Sequence, residues 1–277
     1  MDIDIKNLTK EDILRMNYNE LISIVKETNR PPGGINSIIE FAKNTFLNKD
    51  SKVLEIGTST GFTALELGRI VGCQITAIDI NQLSINECKD RARKLNLSNI
   101  DFQLGNAEKL DFESNSFDVV FCGNVTSIVN NRDSALAEYN RVLKDGGYLV
   151  AIPMYYIKEP SDKLLHDVSE AIRVNIKAHN KNYWVDIFNS EEFEILKEID
   201  FKFDYIEDEK IIEYTRKILQ RKHLDVLSEE TKKELNIRYE NFIKLFRENL
   251  SHMGYTILIL RKTNYKFDEE LFTSSKI

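Results

Sequence analysis

The chain has 277 residues, 42% of them hydrophobic and 30% charged, which is enough apolar sequence for one elaborated domain or two small ones. Its 11 glycines and 4 prolines exclude collagen-like and low-complexity classes, and no apolar run reaches the roughly 18 to 20 residues that cross a bilayer. The 45 acidic residues outnumber the 38 basic ones, and the net charge of -7 disfavours a long nucleic acid or an anionic membrane as partner.

The amino terminus mixes charged and apolar residues and carries no secretion signal, so a soluble, cytoplasmic protein is expected. The three cysteines, Cys73, Cys88 and Cys122, are far apart and lack the spacing of a disulfide framework or a zinc site. We expect them to be small buried side chains.

Residues 1–50 have the pattern of a helical cap. Apolar residues recur at helical spacing up to residue 25, the turn at residues 30–34 interrupts them, and a second apolar-faced stretch runs over 35–47. The pattern predicts a helix, a turn and a second helix.

From residue 52 onward, short apolar runs alternate with amphipathic stretches. This alternation predicts βαβ units and a parallel sheet covered by helices on both faces. The predicted strands are 53–56, 75–78, 100–103, 117–121 and 148–152, and the predicted helices between them are 63–70, 83–95 and 134–143.

Beyond residue 153 the alternation weakens. Helices are predicted at 161–176 and 190–198, a strand at 201–206, a long charged helical segment at 209–250 and a last strand at 255–260. The expected fold is therefore α/β and Rossmann-like, with a doubly wound, mostly parallel seven-stranded sheet. Its domain would span 51–260, with helical lid insertions at 154–190 and 209–250 and a tail at 261–277.

The most informative segment is residues 53–62, where a strand runs into a turn with Gly57 and Gly61 that opens a helix. Glycines let the backbone approach a ligand, and the helix start offers unpaired N–H groups to an anion. Asp79 ends the next predicted strand, where a carboxylate can accept both hydroxyls of a ribose. Together these features predict a nucleotide-like ligand.

Three other kinds of site share features with this loop. A nicotinamide-dinucleotide site would need GxGxxG, but Ser59 and Phe62 stand at the second and third glycine positions. The nucleophile elbow of α/β-hydrolases, GxSxG, matches with Ser59 as nucleophile, although no oxyanion-hole segment precedes it. A turn that only permits close packing would leave Asp79 unexplained.

Residues 55–61 resemble the first motif of class I S-adenosylmethionine-dependent methyltransferases, with Ser59 replacing the middle glycine. Residues 105–108 resemble that family's adenine-contacting turn, and residues 141–147 its turn before the fifth strand. The resemblance covers roughly residues 50–155. It implies S-adenosylmethionine as cofactor, held by Glu55, Gly57, Thr58, Gly61, Asp79, Ile80, Asn106, Ala107 and Asn124.

The catechol-type branch of this family would place magnesium-binding aspartates after the fourth strand. Residues 121–127 hold no carboxylate there, so no metal site is predicted and a metal-independent branch acting on small molecules is favoured. The resemblance implies in-line methyl transfer to an N or O atom of a small molecule or short peptide. A non-catalytic, cofactor-binding assembly module is the competing hypothesis, and a homodimer is a candidate partner arrangement.

The acceptor is expected over the carboxyl ends of the fourth and fifth strands. Tyr155, Tyr183 and Trp184 are candidates for an aromatic wall that would favour an amine or the sulfonium, although lid packing also explains such residues. Arg30 is a candidate donor to a carboxylate of cofactor or substrate, or a solvated residue of a rigid turn. His179 and Tyr156 are the catalytic candidates, with a surface histidine as the alternative for His179.

Overall fold

A computed structural model describes residues 5–189, 192–263 and 271. The chain begins with three helices, α1 (Lys10–Arg15), α2 (Tyr18–Val25) and α3 (Ile35–Asn44). The single helix predicted before the turn at 30–34 is therefore two helices. Met16 caps the end of the first, and Asn17 begins the second, because its side chain accepts from the Glu20 backbone N–H while the Glu20 carboxylate accepts from the Asn17 N–H.

The alternating segment forms the predicted βαβ units. Its elements are β1 (Lys52–Ile56), α4 (Phe62–Ile70), β2 (Gln74–Asp79), α5 (Gln82–Lys94), β3 (Ile100–Leu104), β4 (Phe117–Gly123), α6 (Arg132–Val142) and β5 (Leu143–Ala151). The five strands pair in parallel in the order β3-β2-β1-β4-β5. This order reverses direction next to β1, which places a crevice at the carboxyl ends of β1 and β4.

Three further strands complete the sheet: β6 (Met154–Tyr156), β7 (Phe193–Lys202) and β8 (Met253–Lys262). β8 runs antiparallel between β5 and β7. β6 continues the pairing of β5 along the same edge of β8 without a change of register, since Ala151 faces Leu258 and Met154 faces Tyr255. The sheet thus has seven positions across its width, which confirms the predicted α/β fold class.

The helix predicted at 190–198 is wrong where the structure describes it. Residues 190 and 191 lie outside the described part of the chain, and from Phe193 onward the segment is strand β7, which pairs with β8 over its whole length. The predicted strand at 201–206 overlaps only its last two residues. The physical reason is that hydrogen bonds to a strand some sixty residues later hold this edge in extended form, and local spacing does not reveal them.

Four helices follow β6 and flank β7: α7 (Asp162–Ile172), α8 (Lys181–Phe188), α9 (Asp208–Leu219) and α10 (Glu229–Leu250). The charged segment predicted at 209–250 is thus two helices. A short 3-10 turn, Lys222–Leu224, separates them, and Ser228 caps α10 by accepting from the Thr231 N–H.

Helices α1 and α2 pack against α9 and α10 in a hydrophobic cluster of their own, which we call the roof cluster. Helix α3 instead joins the sheet core, where Phe41 stacks on Phe121 with ring centroids 4.8 Å apart. The first fifty residues therefore divide between two hydrophobic clusters. The roof cluster contains Ile13, Met16, Leu21, Ile24, Val25, Ile218, Leu224, Leu227, Leu235 and Tyr239.

The three cysteines are all buried and unpaired, as predicted. Within the described residues, no helix combines the length and the apolar character needed to cross a bilayer.

Candidate functional site

A cavity of about 650 Å³ opens between the sheet and the helices above it. Its volume lies within the roughly 300 to 1,000 Å³ that is usual for small-molecule and cofactor sites. Its wall is built from the loop after β1, the end of β4, the segment 29–33 and the helices α2, α7, α8 and α10. The N-terminal helices and both predicted lid insertions thus contribute to one chamber.

The loop between β1 and α4 forms the cavity wall next to β1, and its glycines are sterically required. Gly57 has a φ of 71°, and a Cβ atom there would lie 2.3 Å from Val125 Cγ2. Gly61 has a φ of 81°, and a Cβ atom there would lie 3.0 Å from Cys88 Sγ. Ser59 also adopts a left-handed φ of 49°. Glycine adopts this conformation most easily, which fits the glycine that the family's first motif has at this position.

Two carboxylates flank this loop. Glu55 is only 3% exposed, and its Oε2 accepts from the Thr58 hydroxyl at 2.8 Å and the Ala64 N–H at 3.1 Å. Burial raises the pKa of Glu55 to about 7. Asp79, at the end of β2, accepts from the Ser59 N–H at 2.8 Å through Oδ2 and from the Asn81 N–H at 2.9 Å through Oδ1. Both carboxylates are therefore fixed in direction before any ligand arrives.

The predicted cofactor residues fall into two groups. Glu55, Gly57, Thr58 and Asn124 line the cavity. The others lie outside its lining, at the starts of α4 and α5 and in the turn after β3: Gly61, Asp79, Ile80, Asn106 and Ala107.

The members of the second group differ from one another in burial. Ala107 is buried, the Asn106 side-chain oxygen accepts from the Glu108 N–H at 2.9 Å, and Ile80 is 77% exposed. A glycine-lined loop with fixed carboxylates on either side fits an adenosyl cofactor, because the loop admits close approach and Asp79 keeps lone pairs for ribose hydroxyls.

The segment before α3 closes over the glycine loop. The Asn29 N–H donates to Thr60 Oγ1 at 2.8 Å, and its Nδ2 donates to Ser59 Oγ at 3.1 Å. The Arg30 guanidinium lies 5.0 Å above the Phe62 ring, and Arg30 lines the cavity. Among the described residues, the Ser59 hydroxyl oxygen thus accepts from an amide and is not hydrogen-bonded to an imidazole, which is the base that a serine hydrolase needs.

The wall after β4 contains a residue that sequence reasoning missed. Arg132 begins α6 and lines the cavity. Its guanidinium donates to the Thr126 and Ser127 carbonyls, both at 3.2 Å, and to the Tyr183 hydroxyl oxygen at 2.9 Å. The signal for it in the sequence is a lone charged residue shortly after the fourth strand, in a segment that otherwise lacks charge.

Arg132 stands beside a stacked aromatic cluster. The His179 and Tyr183 rings are parallel within 3°, with centroids 3.5 Å apart, and both meet the Trp184 ring edge to face. The Arg132 guanidinium lies 5.1 Å over the Trp184 ring. Partial burial lowers the pKa of His179, and the positive charges of Arg132 and Lys177 lower it further. His179 is therefore a neutral imidazole at pH 7 and is able to accept a proton.

The two tyrosines of β6 point to opposite sides, because successive residues of a strand alternate. Tyr156 lines the cavity, and its hydroxyl donates to Asn249 Oδ1 at 2.7 Å. Its N–H donates to the His179 carbonyl at 2.9 Å. Tyr155 lies outside the cavity lining with its hydroxyl 3.4 Å from Asp200 Oδ1, and its role in the substrate wall stays a prediction.

Burial raises the pKa of Tyr156, so its phenol stays protonated at neutral pH. A protonated phenol that already donates to Asn249 cannot serve as a base. It joins β6 to α10 and, through its backbone, supports the segment that carries His179.

A partly buried carboxylate connects the roof helices to the cavity rim. Glu27 accepts from the Tyr214 hydroxyl at 2.7 Å and the Tyr239 hydroxyl at 2.8 Å, which joins the end of α2 to α9 and α10. Tyr18 of α2 lines the cavity, and its ring lies 4.4 Å from that of Phe246. The roof is thereby held over the chamber by hydrogen bonds as well as by apolar packing.

No group of three or more His, Cys, Asp or Glu side chains with metal-binding geometry occurs among the described residues. Asp118 instead pairs with Lys144 at 2.6 Å and accepts from the Lys52 N–H, and Asp133 is exposed in the first turn of α6. Metal-independent activity stays a prediction.

A family profile described as "Methyltransferase domain" matches residues 54–151. An uncharacterized protein of Haemophilus influenzae is 30% identical over 170 residues, which cover 60% of this chain and 68% of that protein. The ubiquinone/menaquinone biosynthesis C-methyltransferase UbiE of Psychromonas ingrahamii is 35% identical over 124 residues. That match covers 42% of this chain and 48% of UbiE, so the chain spans about half the length of this relative.

Solved structures share the fold over most of the chain. The MccD protein superposes with a TM-score of 0.72 at 26% identity, covering 85% of this chain and all of MccD. A phosphoethanolamine N-methyltransferase of Haemonchus contortus, in complex with phosphomonomethylethanolamine and S-adenosylhomocysteine, superposes with a TM-score of 0.66 at 19% identity. The superposition covers 92% of this chain and 58% of the Haemonchus contortus chain. These matches support neither the hydrolase nor the assembly-module hypothesis.

Proposed function

The chain belongs to the class I S-adenosylmethionine-dependent methyltransferases, and on that premise we propose that it methylates an N or O atom of a small molecule bound beneath the helical roof. The observation that supports this proposal is the single chamber shared by the glycine loop and His179. A short peptide is a second acceptor class.

The cofactor would be held by the residues around the glycine loop. Asp79 would accept the ribose hydroxyls, the turn of Asn106 and Ala107 would contact the adenine, and Glu55, Gly57 and Thr58 would lie next to the methionyl part. Arg30, which lines the cavity beside the glycine loop, would donate to a carboxylate of that part. When bound, S-adenosylmethionine supplies a methyl group on a sulfonium that is a good leaving group.

Because the donor is already activated, the protein's contribution is mainly alignment and proton removal. Holding two reactants in line is worth effective molarities of roughly 10⁵ M or more. His179 would take the proton from the acceptor oxygen or nitrogen as its lone pair attacks, since the imidazole is neutral and faces the cavity. Tyr156 and Asn249 act as positioning residues for the segment that carries His179.

Carbon methylation is a second candidate for the acceptor atom. It is favoured by the similarity to UbiE, which is named as a C-methyltransferase. A neutral histidine also suits this reaction, because an aromatic or enol carbon must lose a proton as the methyl arrives. Transfer from cofactor carrying a ¹³C-labelled methyl group distinguishes the acceptor atoms, because the chemical shift of the product methyl reports whether it is bound to C, N or O.

The test is turnover of labelled cofactor with a mixture of small-molecule metabolites. Wild type is expected to form S-adenosylhomocysteine and one labelled methyl product. His179→Gln is expected to lower kcat at least 100-fold while leaving the affinity for S-adenosylhomocysteine within about threefold, in line with the usual contribution of a general base. His166→Gln is the matched control, because His166 is exposed on α7.

A His179→Gln protein with full kcat would contradict the base assignment. Turnover that occurs only with proteins and never with small molecules would contradict the acceptor class.

A further inference from the structure

Among the charged side chains that line the cavity, cations outnumber carboxylates. Three are cations, Arg30, Arg132 and Lys177, and within the described residues the one carboxylate of the lining is Glu55. Glu55 faces the glycine loop and already accepts two hydrogen bonds there. The part of the cavity next to α6 and α8 therefore carries positive charge without an acidic partner in the lining.

Arg132 is held in place by neutral oxygens. Its three hydrogen bonds go to two backbone carbonyls and one phenol, and no described carboxylate forms an ion pair with it. These acceptors orient the guanidinium but leave its charge uncompensated. A guanidinium has five N–H donors, so two N–H groups remain available to a ligand. A partly buried cation with free donors on both terminal nitrogens favours an oxyanion.

The rings of Tyr183 and Trp184, which were predicted to form an aromatic wall for an amine, are already covered by other side chains. The Arg132 guanidinium lies over the Trp184 ring, and the His179 ring lies over that of Tyr183. Burial lowers the pKa of His179, and the positive charges of Arg132 and Lys177 lower it further, so His179 does not add a carboxylate-like partner to this region. A cationic acceptor placed here would meet like charges instead of an open aromatic cage.

The chamber also presents apolar side chains, interspersed with neutral polar ones such as Asn124, Asn175 and Asn249. A ligand that satisfies both the charge and the apolar wall has an apolar body with an anionic end. The apolar wall includes Tyr18, Phe121, Ile128, Ile172, Phe246 and Leu250.

We infer that the methyl acceptor is an amphiphilic acid whose carboxylate or phosphate is bound by Arg132. This inference rests on the proposed small-molecule methyl transfer, and it makes Arg132 the residue that selects the acceptor by charge. The two remaining N–H donors match two oxygens of one carboxylate or phosphate group.

The test measures binding of small probes to protein saturated with S-adenosylhomocysteine, by calorimetry. The probes are benzoate and phenyl phosphate as oxyanions, benzamide as the neutral counterpart of benzoate, and benzylamine as the cation. Wild type is expected to bind one oxyanion at least tenfold more tightly than benzamide, and the stronger of the two identifies the carboxylate or the phosphate. Arg132→Gln is expected to remove this preference, and Arg93→Gln, which alters an exposed arginine paired with Asp90, is expected to keep it.

Equal affinity for all four probes, tighter binding of benzylamine, or no detectable binding of either oxyanion at about 10 mM would overturn the inference. A preference for oxyanions that persists in Arg132→Gln would overturn the assignment to Arg132. The comparison of benzoate with benzamide uses wild type alone, so it holds even if the variant does not fold. Failure of wild type to bind S-adenosylhomocysteine in the first titration would instead count against the proposed function.

Discussion

Asp79 combines two tasks in one side chain. Its carboxylate holds the left-handed Ser59 through the Ser59 N–H, and in the proposed complex it also accepts the ribose hydroxyls. We expect Asp79→Ala to weaken binding of S-adenosylhomocysteine by tenfold or more, because charge-assisted hydrogen bonds contribute about 1.5 to 3 kcal/mol each. Calorimetry measures the change, with Asp101→Ala on the exposed face of β3 as control. Unchanged affinity in a folded Asp79→Ala protein would contradict the cofactor placement.

Glu55 predicts a pH dependence of stability in the protein without cofactor. Its pKa rises from 4.5 to about 7 on folding, so between these values the folded state holds a proton that the unfolded state has released. The contribution of Glu55 to the free energy of unfolding therefore falls as pH rises from 4.5 to 7, by about 3 kcal/mol in total. Below pH 4.5 both states are protonated and this penalty is absent.

Urea titrations of wild type and Glu55→Gln at several pH values measure this effect. We expect wild type to lose stability relative to Glu55→Gln as pH rises through the window, with Glu113→Gln as the control for an exposed carboxyl group. A constant difference between wild type and Glu55→Gln would show that Glu55 ionises normally in the fold.

At the level of elements, α10 supports the roof through one face only. Leu235 is 1% exposed within the roof cluster, whereas Ile237, two residues further along the same helix, is 44% exposed. We expect Leu235→Ala to lower the free energy of unfolding by about 2 to 5 kcal/mol because it leaves a cavity. Ile237→Ala is the matched control, and we expect it to cost less than about 1 kcal/mol.

Urea denaturation of both variants is the measurement. Similar losses for the two variants would mean that the roof cluster is not packed as described. Replacing all of 209–250 by a short linker is a less clean experiment, since it would expose the apolar faces of α1 and α2.

At the scale of the whole molecule, the cavity is lined by residues of both the sheet and the roof helices. A ligand that touches both should stabilise both, and S-adenosylhomocysteine at about 100 times its Kd should add about 2.7 kcal/mol to the free energy of unfolding. Trp184 is the sole tryptophan and lies in the wall beneath the roof, so its fluorescence reports this region, while far-ultraviolet circular dichroism reports the whole fold.

We expect both signals to shift together to higher urea concentration. A shift seen by circular dichroism but not by Trp184 fluorescence would show that the cofactor stabilises the sheet alone. A homodimer stays a prediction, and sedimentation of the same samples tests it.

The sequence by itself determined the features that rest on local spacing. The alternation of apolar runs and amphipathic stretches predicted β1 to β5 and the helices between them to within a few residues, apart from an earlier start for β5. It also identified the loop of Gly57 and Gly61 and the position of Asp79, because strand, turn and helix start follow one another along the chain. Those features can be predicted because the order of strand, turn and helix is written in the local apolar pattern, although the strands themselves pair with more distant segments.

Only the tertiary structure decided the features that join distant segments. It converted the predicted helix at 190–198 into β7, because β8 supplies the hydrogen bonds. It placed Tyr156 inside the chamber and Tyr155 outside it, and it brought Arg132 against Trp184, about fifty residues away. Packing between elements decides which residues come together in the acceptor site. Spacing along the chain specifies only the helices and strands themselves.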